Sequence, residues 1–256
     1  MMIYFFKSML KMKLKYDKII VGDKMDKKTM KYIRVILMLI LGAYFMYTEI
    51  TNPTLSYTPS YNIDEIPEYK DSAYVVINNN EPDFEDLSKK PVSFEVYSEL
   101  DELGRTTQAY ASLGKDLMPT EKRTSINQVK PSGWHTVKYD IVDGKYLYNR
   151  CHLIGFQLAG ENANKNNLMT CTRYMNTKGM LDFENQVAEY IRETGNHVLY
   201  RETPMYEGND LLAKGIQMEA LSIEDNGEGI KFNIFVYNIQ PGIEIDYKTG
   251  ESRLSE

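Results

Sequence analysis

The alternation of apolar and polar residues predicts several short strands in the middle and at the end of the chain. Residues 73–77, 92–96 and 109–113 are rich in apolar or β-branched side chains and are bounded by turn residues. The same criteria predict later strands at residues 198–201, 211–218, 220–224 and 230–239. Turns that carry Gly and Asn separate them, so the pattern favours an α+β fold with a central antiparallel sheet.

A helical period appears between the two groups of strands. The apolar positions recur at helical spacing in Met180, Phe183, Val187, Tyr190 and Ile191. Gly195 stands where a C-cap is expected, which predicts a helix of about 15 residues that begins near Thr177. Asn176 falls on the same apolar stripe. An amide that points toward the core needs a partner, either a backbone group or a metal ion.

The N-terminal segment has the charge order of a secretory signal or a signal anchor. Basic residues up to Arg34 lead into an uninterrupted apolar run over residues 35–47. We therefore expect a basic cytoplasmic region at 1–31, a signal anchor or signal-peptide core at 32–48, a linker at 49–72, and a folded domain at 73–256. This order places the domain on the extracellular face of a bacterial membrane, or in the medium if the segment is cleaved. A buried core helix is the alternative.

The charge balance limits how the domain could meet a polyanion. The chain of 256 residues has a net charge of −6, with 30 basic and 36 acidic residues. Residues 1–34 contain ten basic and three acidic residues, so the remainder has 20 basic against 33 acidic residues and a net charge of −13. A broad basic face that coats nucleic acid is therefore excluded, whereas local contacts with a few phosphates are not.

A long polar loop lies before the central part of the sequence. Residues 119–134 are polar and contain Pro and Gly, and long ordered loops often carry function. Arg123 and Lys130 in this loop are candidates for phosphate binding. The alternative is that both are solvated surface charges.

The residues with the clearest chemical potential lie around His152. Arg150 and His152 are two positions apart on a strand that begins at Tyr146. Both side chains therefore point to the same face of the strand. A neighbouring cation keeps an imidazole neutral near pH 7, as a general base requires, and the cation itself can pair with a phosphate. The amide oxygens of the nearby Asn residues suit Mg²⁺ or Ca²⁺ better than zinc. They belong to Asn164, Asn166, Asn167 and Asn176.

These motifs resemble the DNA/RNA non-specific endonucleases of the ββα-metal superfamily. The resemblance covers residues 91–250 and is carried by Asn149-Arg-Cys-His152, by the segment from Asn167 to Asn176, and by Glu184. It implies that His152 is a general base and that Arg150 is a phosphate-binding cation. It also implies that Asn176 is the direct ligand of Mg²⁺, with Mn²⁺ or Ca²⁺ as substitutes. Asn167 then supports the site and Glu184 acts through bound water.

The chain departs from the family motif at two positions. Asn149 replaces an Asp, so its influence on the neighbouring Arg carries no charge, and Cys151 replaces a Gly. Cys151 and Cys171 are 20 positions apart. Outside the cell they could form a disulfide across the active-site region, and free thiols are equally consistent with the sequence.

The resemblance implies an extracellular, monomeric, metal-dependent endonuclease that cleaves DNA, with RNA as a second substrate, through contacts with backbone phosphates. Two other classes remain open. A thiol hydrolase is disfavoured because Cys151 and His152 are consecutive on a strand and face opposite ways. A membrane-tethered module that binds nucleic acid for DNA uptake without cleaving it is the stronger alternative.

Overall fold

The computed structural model of the chain describes residues 27–51, 62–84 and 91–256. The chain divides into two units, residues 1–54 and 55–256. The first contains helix α1, Lys27–Thr51, on which the apolar side chains of residues 35–41 are exposed. Among the described residues, which include the segment predicted as an anchor at 32–48, no helix has the length and hydropathy needed to cross a membrane. Most of the predicted cytoplasmic region and residues 52–61 of the predicted linker lie outside the described residues.

The second unit is built on a six-stranded antiparallel sheet, which confirms the predicted fold class. Its strands are Tyr74–Val76 (β1), Phe94–Tyr97 (β2), Ala109–Leu113 (β3), Val198–Met205 (β6), Gly215–Ser222 (β7) and Lys231–Tyr237 (β8). In space they follow the order β1-β8-β7-β6-β3-β2. The longest pairing joins β6 to β7 over eight residue pairs, from Val198↔Ser222 to Met205↔Gly215.

A separate two-stranded hairpin leads into the main helix. The hairpin pairs β4, Tyr148–His152, with β5, Leu168–Thr172, and a short helix α2, Phe156–Ala159, lies in the connection. A π-helical turn, Met175–Met180, then precedes helix α3, Leu181–Thr194. Two further strands, β9 (Ile243–Ile245) and β10 (Ser252–Leu254), pair near the C-terminus. Strand, strand and helix therefore follow in the order expected of a ββα motif.

The main core lies between the inner face of the sheet and this ββα segment. Fully buried side chains of the sheet, such as Ile216 and Met218, belong to the same apolar cluster as Met169 of the hairpin and Val187 and Ile191 of α3. Helix α3 ends at Gly195, whose φ of 73° is left-handed, as the C-cap prediction required.

Helix α3 begins later than the period suggested, because the π-helical turn occupies its expected first turn. Gly179 in that turn lies so close to β8 that an added Cβ would meet Cγ1 of Val236 at 2.2 Å. A residue with a side chain could not make this approach, so the widened turn and its Gly belong together.

The outer face of the sheet is covered by residues that were predicted to be a linker. Ile63, Ile66 and Tyr69 pack against an apolar cluster that includes Phe235 and Tyr237. The Tyr237 hydroxyl also donates a hydrogen bond to the carbonyl of Pro67 at 2.6 Å. The linker prediction was therefore wrong for residues 62–72, because scattered apolar residues without a regular period can still cover a sheet.

The predicted strands 211–218 and 220–224 form one strand, β7. Glu219 interrupts the apolar pattern, which suggested a break, yet its carboxylate is fully buried and forms an ion pair of 2.8 Å with Arg201 on β6. A paired charge can remain inside a sheet, so the polar position does not mark a turn here.

One side chain docks the hairpin against the sheet. Asn238, which is fully buried just after β8, accepts a hydrogen bond from the backbone N–H of Thr172 at 2.8 Å. Its amide nitrogen donates to the carbonyls of Thr170 at 3.3 Å and Ala213 at 2.9 Å. The position of β5 relative to the sheet is therefore set by hydrogen bonds as well as by apolar packing.

Candidate active site

A cleft of about 840 Å³ brings most of the predicted site residues together. Its walls come from β4, the π-helical turn, the start of α3 and the loop at 119–134. Six of the eight predicted site residues line it, namely Arg123, Asn149, Arg150, His152, Asn176 and Glu184. Asn167 and Lys130 are not part of its lining.

His152 ends β4 and is held in one orientation by the backbone. The residue is 6% exposed, and its Nε2 lies 2.8 Å from the carbonyl oxygen of Asn162. A carbonyl can only accept, so Nε2 carries the hydrogen and Nδ1 keeps a lone pair. The imidazole is thus presented as a hydrogen-bond acceptor, the form in which it can take a proton.

Arg123 is the cation that lies beside this imidazole. Its Nη2 is 3.5 Å from Nδ1 of His152. The pKa of His152 is lowered, first by burial and then by the charge of Arg123, against the opposing effect of the hydrogen bond to Asn162. The next residue, Thr124, donates its backbone N–H to the Asn162 side chain at 3.1 Å, which ties the Arg123 loop to the loop that orients His152.

The guanidinium of Arg150 binds the backbone of the long loop. Its guanidinium donates to the carbonyls of Val129 and Asn127, the second at 3.0 Å, and stacks 3.9 Å from the centre of the Trp134 ring. The strand places Arg150 on the cleft side, as predicted, but its neighbours are the backbone of the long loop. Arg150 therefore holds that loop in place, and Arg123 supplies the charge next to His152.

Asn176 faces the cleft from the π-helical turn. Its Oδ1 lies 3.3 Å from Sγ of Cys151, and Cys151 is joined to Cys171 by a disulfide. A disulfide sulfur has no hydrogen to donate, so this contact leaves the amide oxygen with its lone pairs. An amide oxygen in that state is a hard ligand for a cation.

Glu184, in the first turn of α3, is the carboxylate of the cleft. An added Cβ on Gly155 would lie 2.9 Å from its Oε2, so the absence of a side chain at Gly155 makes room for it. Burial raises the pKa of Glu184 to about 7, although a hydrogen bond from Gln157 and the charge of Arg123 act in the opposite direction. A cation bound nearby would favour the ionised form of this carboxyl group and lower its pKa.

The donor atoms of the cleft fit a hard divalent cation. An amide oxygen of Asn176 and a carboxylate of Glu184 are ligands of the kind that Mg²⁺, Mn²⁺ and Ca²⁺ accept, with water completing the coordination. Over residues 27–51, 62–84 and 91–256, no group of three or more His, Cys, Asp and Glu side chains is arranged to hold a metal ion.

The remaining predicted residues differ in their environment. Asn167 is fully buried and clamps the backbone of Ile154, accepting from its N–H at 2.8 Å and donating to its carbonyl at 3.1 Å. This fixes the chain two residues after His152, a supporting position. Asn149 lines the cleft, with a buried Nδ2 for which the described residues offer no hydrogen-bond acceptor. Lys130 is exposed outside the cleft.

Three contributors to the site could not be identified with certainty from the residue pattern. The carbonyl of Asn162, which orients His152, belongs to the backbone, so the type of side chain at position 162 does not indicate this role. Trp134 ends a polar loop, and the residue pattern did not indicate that its ring would stack against Arg150. Gly155 could have been suspected, because Gly is the residue that permits a close approach to the backbone, and it lies three residues after His152.

A buried acid lies on the core side of the site. The Tyr200 hydroxyl donates to the carboxylate of Glu202, and both residues are fully buried on β6. Burial raises the pKa of Glu202 well above its ordinary value, and the charge of Glu184 acts in the same direction. Both effects favour the protonated form of the Glu202 carboxyl group.

Comparison with known proteins gives consistent matches. The family model for DNA/RNA non-specific endonucleases matches residues 86–223, more than half of the chain. A curated deoxyribonuclease from Streptococcus dysgalactiae subsp. equisimilis is 28% identical over 212 residues, which cover 64% of this chain and 63% of the relative. The chain thus spans less than two thirds of the length of that relative.

Solved nuclease structures share the fold. NucA from Streptococcus agalactiae without metal superposes with a TM-score of 0.65 at 26% identity, over 75% of this chain and 92% of NucA. Its magnesium-bound form gives 0.64 at 25% identity, over 73% and 89% of the two chains. Sda1 nuclease with bound zinc gives 0.59 at 30% identity, over 72% and 97%. The extent of the family match and the shared fold place this chain in the DNA/RNA non-specific endonuclease family.

Proposed function

We propose that this chain is an endonuclease that hydrolyses phosphodiester bonds of DNA, with His152 as its general base. The observation that carries the proposal is the hydrogen bond from Nε2 of His152 to the carbonyl of Asn162, which leaves Nδ1 as an acceptor in the cleft. A neutral imidazole in this tautomer can take a proton from a water molecule as the water attacks phosphorus. The lowered pKa of His152 keeps the acceptor form available at neutral pH.

We expect Asn176 to hold a divalent cation directly and Glu184 to hold it through water. Mg²⁺ is the expected ion, and Mn²⁺ or Ca²⁺ would suit the same oxygen ligands. When bound, the cation supplies positive charge that stabilises the phosphate oxygens and the leaving group in the transition state. NucA is known in a magnesium-bound form and Sda1 in a zinc-bound form, which supports a metal site in relatives of this chain.

Arg123 and Arg150 have different parts in this proposal. Arg123 lies against the base at the cleft wall and contacts a phosphate oxygen of the bound strand. Arg150 keeps the loop that carries Arg123 in its working position through its contacts with Val129 and Asn127. Because these groups recognise phosphate, we expect little dependence on base identity, and RNA is a second candidate substrate.

We further propose that the domain acts as a monomer outside the cell. The Cys151–Cys171 disulfide supports this location, since disulfides persist in oxidising compartments. The basic and then apolar order of the N-terminal segment is consistent with export. Fractionation of expressing cells into medium, membrane and cytoplasm decides whether the product is released or remains tethered.

The test of the proposed function is cleavage of plasmid DNA by the purified full chain in Mg²⁺ and in EDTA, with RNA in a parallel series. The wild-type chain should nick and linearise plasmid only in Mg²⁺, and His152→Ala and Asn176→Ala should remove the activity. His135→Ala is the matched control, because His135 is exposed and bonds to the backbone of Thr249.

Two results would contradict the assignment. Cleavage by His152→Ala at the wild-type rate would exclude His152 as the base. Tight binding of DNA by the wild-type chain in Mg²⁺, without any cleavage, would instead identify a nucleic-acid-binding module of the kind that serves DNA uptake.

A further inference from the structure

The Cys151–Cys171 disulfide connects the two halves of the proposed site. Cys151 directly precedes His152 on β4, and Cys171 on β5 lies five residues before Asn176. In the hairpin Cys151 is opposite Met169, and Asn149 is opposite Cys171, so the disulfide runs diagonally across the two strands. It therefore fixes the strand that carries the base to the strand that leads to the metal-binding amide.

The sulfur of Cys151 touches the amide oxygen that the proposed function assigns to the metal. The separation between Sγ and Oδ1 of Asn176 is 3.3 Å. In the disulfide this sulfur has no hydrogen, so Oδ1 receives nothing from it. In a free thiol the same sulfur is a hydrogen-bond donor, and Asn176 Oδ1 is within its reach. The oxidation state of Cys151 thus decides whether the metal competes with a proton donor for Oδ1.

The surroundings of the disulfide offer a reduced thiol few hydrogen-bond acceptors. Cys151 is 1% exposed and Cys171 is fully buried, and both belong to the main apolar core. Cys171 Sγ lies 3.6 Å from the carbonyl oxygen of Asn149, so an acceptor stands beside each sulfur. Buried donors form hydrogen bonds with nearby acceptors, and the acceptor beside Cys151 is Oδ1 of Asn176.

We propose that Cys151 is a positioning residue whose oxidation state sets the affinity of Asn176 for the metal. This inference rests on the proposed metal-dependent nuclease function. Formation of the disulfide removes two protons and two electrons from the thiols, and a disulfide oxidant outside the cytoplasm accepts them and becomes two thiols. Asn176 has its full affinity for the metal only after this step, so the reduced chain should bind the metal more weakly than the oxidised chain.

The proposal is tested by metal binding as well as by activity. Titration calorimetry with Mn²⁺ on the metal-free full chain gives the dissociation constant, and the half-saturating Mg²⁺ concentration comes from plasmid cleavage. Both are measured for the oxidised chain, for the chain reduced by a small dithiol, and for two variants. Cys171→Ala leaves a free thiol at position 151, and the double variant Cys151→Ala/Cys171→Ala has no thiol there.

We expect the reduced chain and Cys171→Ala to bind Mn²⁺ about three- to fivefold more weakly than the oxidised chain, the range expected for a competing weak hydrogen bond. The double variant should bind within about twofold of the oxidised chain and should not respond to the dithiol. Circular dichroism at the assay temperature checks that each form is folded. If the reduced wild type is unfolded, the comparison of the two variants decides, since both lack the cross-link.

Equal affinity of Cys171→Ala and the double variant would overturn the proposal, because the free thiol would then have no effect. Equal affinity of the folded reduced chain and the oxidised chain would overturn it too. An oxidised chain that cleaves DNA with Mg²⁺ while either of these results holds leaves the proposed function intact. An oxidised chain that neither binds Mn²⁺ nor cleaves DNA rejects both proposals.

Discussion

Nη2 of Arg123 lies 3.5 Å from Nδ1 of His152, although 29 residues separate them in the chain. Nδ1 is the nitrogen that does not donate to Asn162, and the Arg123 guanidinium donates to it, so the cation faces the atom that would take the proton. Its charge opposes protonation of the imidazole in the resting enzyme. Because Arg123 and His152 line the same cleft, we expect the same guanidinium to contact a phosphate that approaches the base.

Replacement of Arg123 by Ala should therefore change the pH dependence of cleavage. Removal of the charge raises the pKa of His152, since one cause of its lowering is lost. A general base must be unprotonated, so the acidic limb of the profile of kcat/KM against pH should move to higher pH. At pH 8, where the imidazole is neutral in both proteins, the loss of the phosphate contact should reduce kcat/KM by about tenfold.

Arg123→Lys retains a charge at this position, and its acidic limb should lie closer to that of the wild type. Lys122→Ala is the matched control, because Lys122 is the exposed neighbour of Arg123. An unchanged acidic limb in Arg123→Ala would show that the charge of Arg123 does not influence the base.

Glu184→Gln should stabilise the metal-free protein at alkaline pH. The folded pKa of Glu184 is about 7 and the ordinary value is 4.5, so between these values the folded chain holds a proton that the unfolded chain has released. The stability of the wild type therefore falls as pH rises from 4.5 through 7. Gln does not ionise, so the variant should be more stable above pH 7 by about 1 to 3 kcal/mol and equal near pH 4.5.

Urea denaturation in EDTA at pH 4.5 and pH 8 measures this difference. Glu189→Gln, at an exposed position of the same helix, should show no such dependence. A Glu184→Gln variant with the same stabilisation at both pH values would indicate that its effect does not arise from ionisation. Excess Mg²⁺ should stabilise the wild type more than Glu184→Gln, because only the wild type offers a carboxylate to the ion.

Gly155→Ala should lower activity through Glu184. The backbone of Gly155, with φ of −55° and ψ of 143°, is open to Ala, so the new Cβ acts only through its contact with the carboxylate. We expect a loss of stability of about 1 kcal/mol or less, because a side chain can shift, and a roughly tenfold drop in kcat/KM with higher Mg²⁺ demand.

A double-mutant cycle separates this effect from a change in the backbone. In a Glu184→Ala background the added methyl group has room, so Gly155→Ala should cost no further stability and no further activity. Additive losses in the two variants would show that Gly155 acts on something other than Glu184.

Arg150→Ala should release the loop at 119–134. The substitution removes the contacts with Val129, Asn127 and Trp134, and we expect about 1 to 2 kcal/mol of lost stability. Limited proteolysis should cut within the loop faster than in the wild type. Arg150→Lys should behave like Ala, since an ammonium cannot reproduce the planar fork and the stack. Full protection by Lys would mean that charge alone holds the loop.

The parts of the structure that the sequence predicted follow from local periodicity. The antiparallel strands and the C-cap at Gly195 depend on neighbours along the chain, and so does the convergence of His152 and Asn176 at a strand end and a helix start. The identity of the site residues came from a motif with fixed spacing. Such features need no knowledge of how distant segments pack.

The parts that sequence could not predict depend on irregular segments. Strand alternation placed Arg150 on the cleft side but could not say that the loop backbone would occupy its guanidinium. The contact between Arg123 and His152 depends on the path of a loop without any period. Glu219 looked like a break in β7 because its partner Arg201 lies on another strand, 18 residues away.

Asn238 makes the β4–β5 hairpin dependent on a residue outside it. Its side chain accepts from Thr172 and donates to Thr170, so one amide takes the place of a neighbouring strand along the edge of β5. A segment spanning residues 148–176 would therefore leave this edge open if it were grafted onto another scaffold without such an amide. The smallest transferable unit that carries the proposed base and the proposed metal ligand is therefore discontinuous, because it includes a residue more than 60 positions beyond the hairpin that it completes.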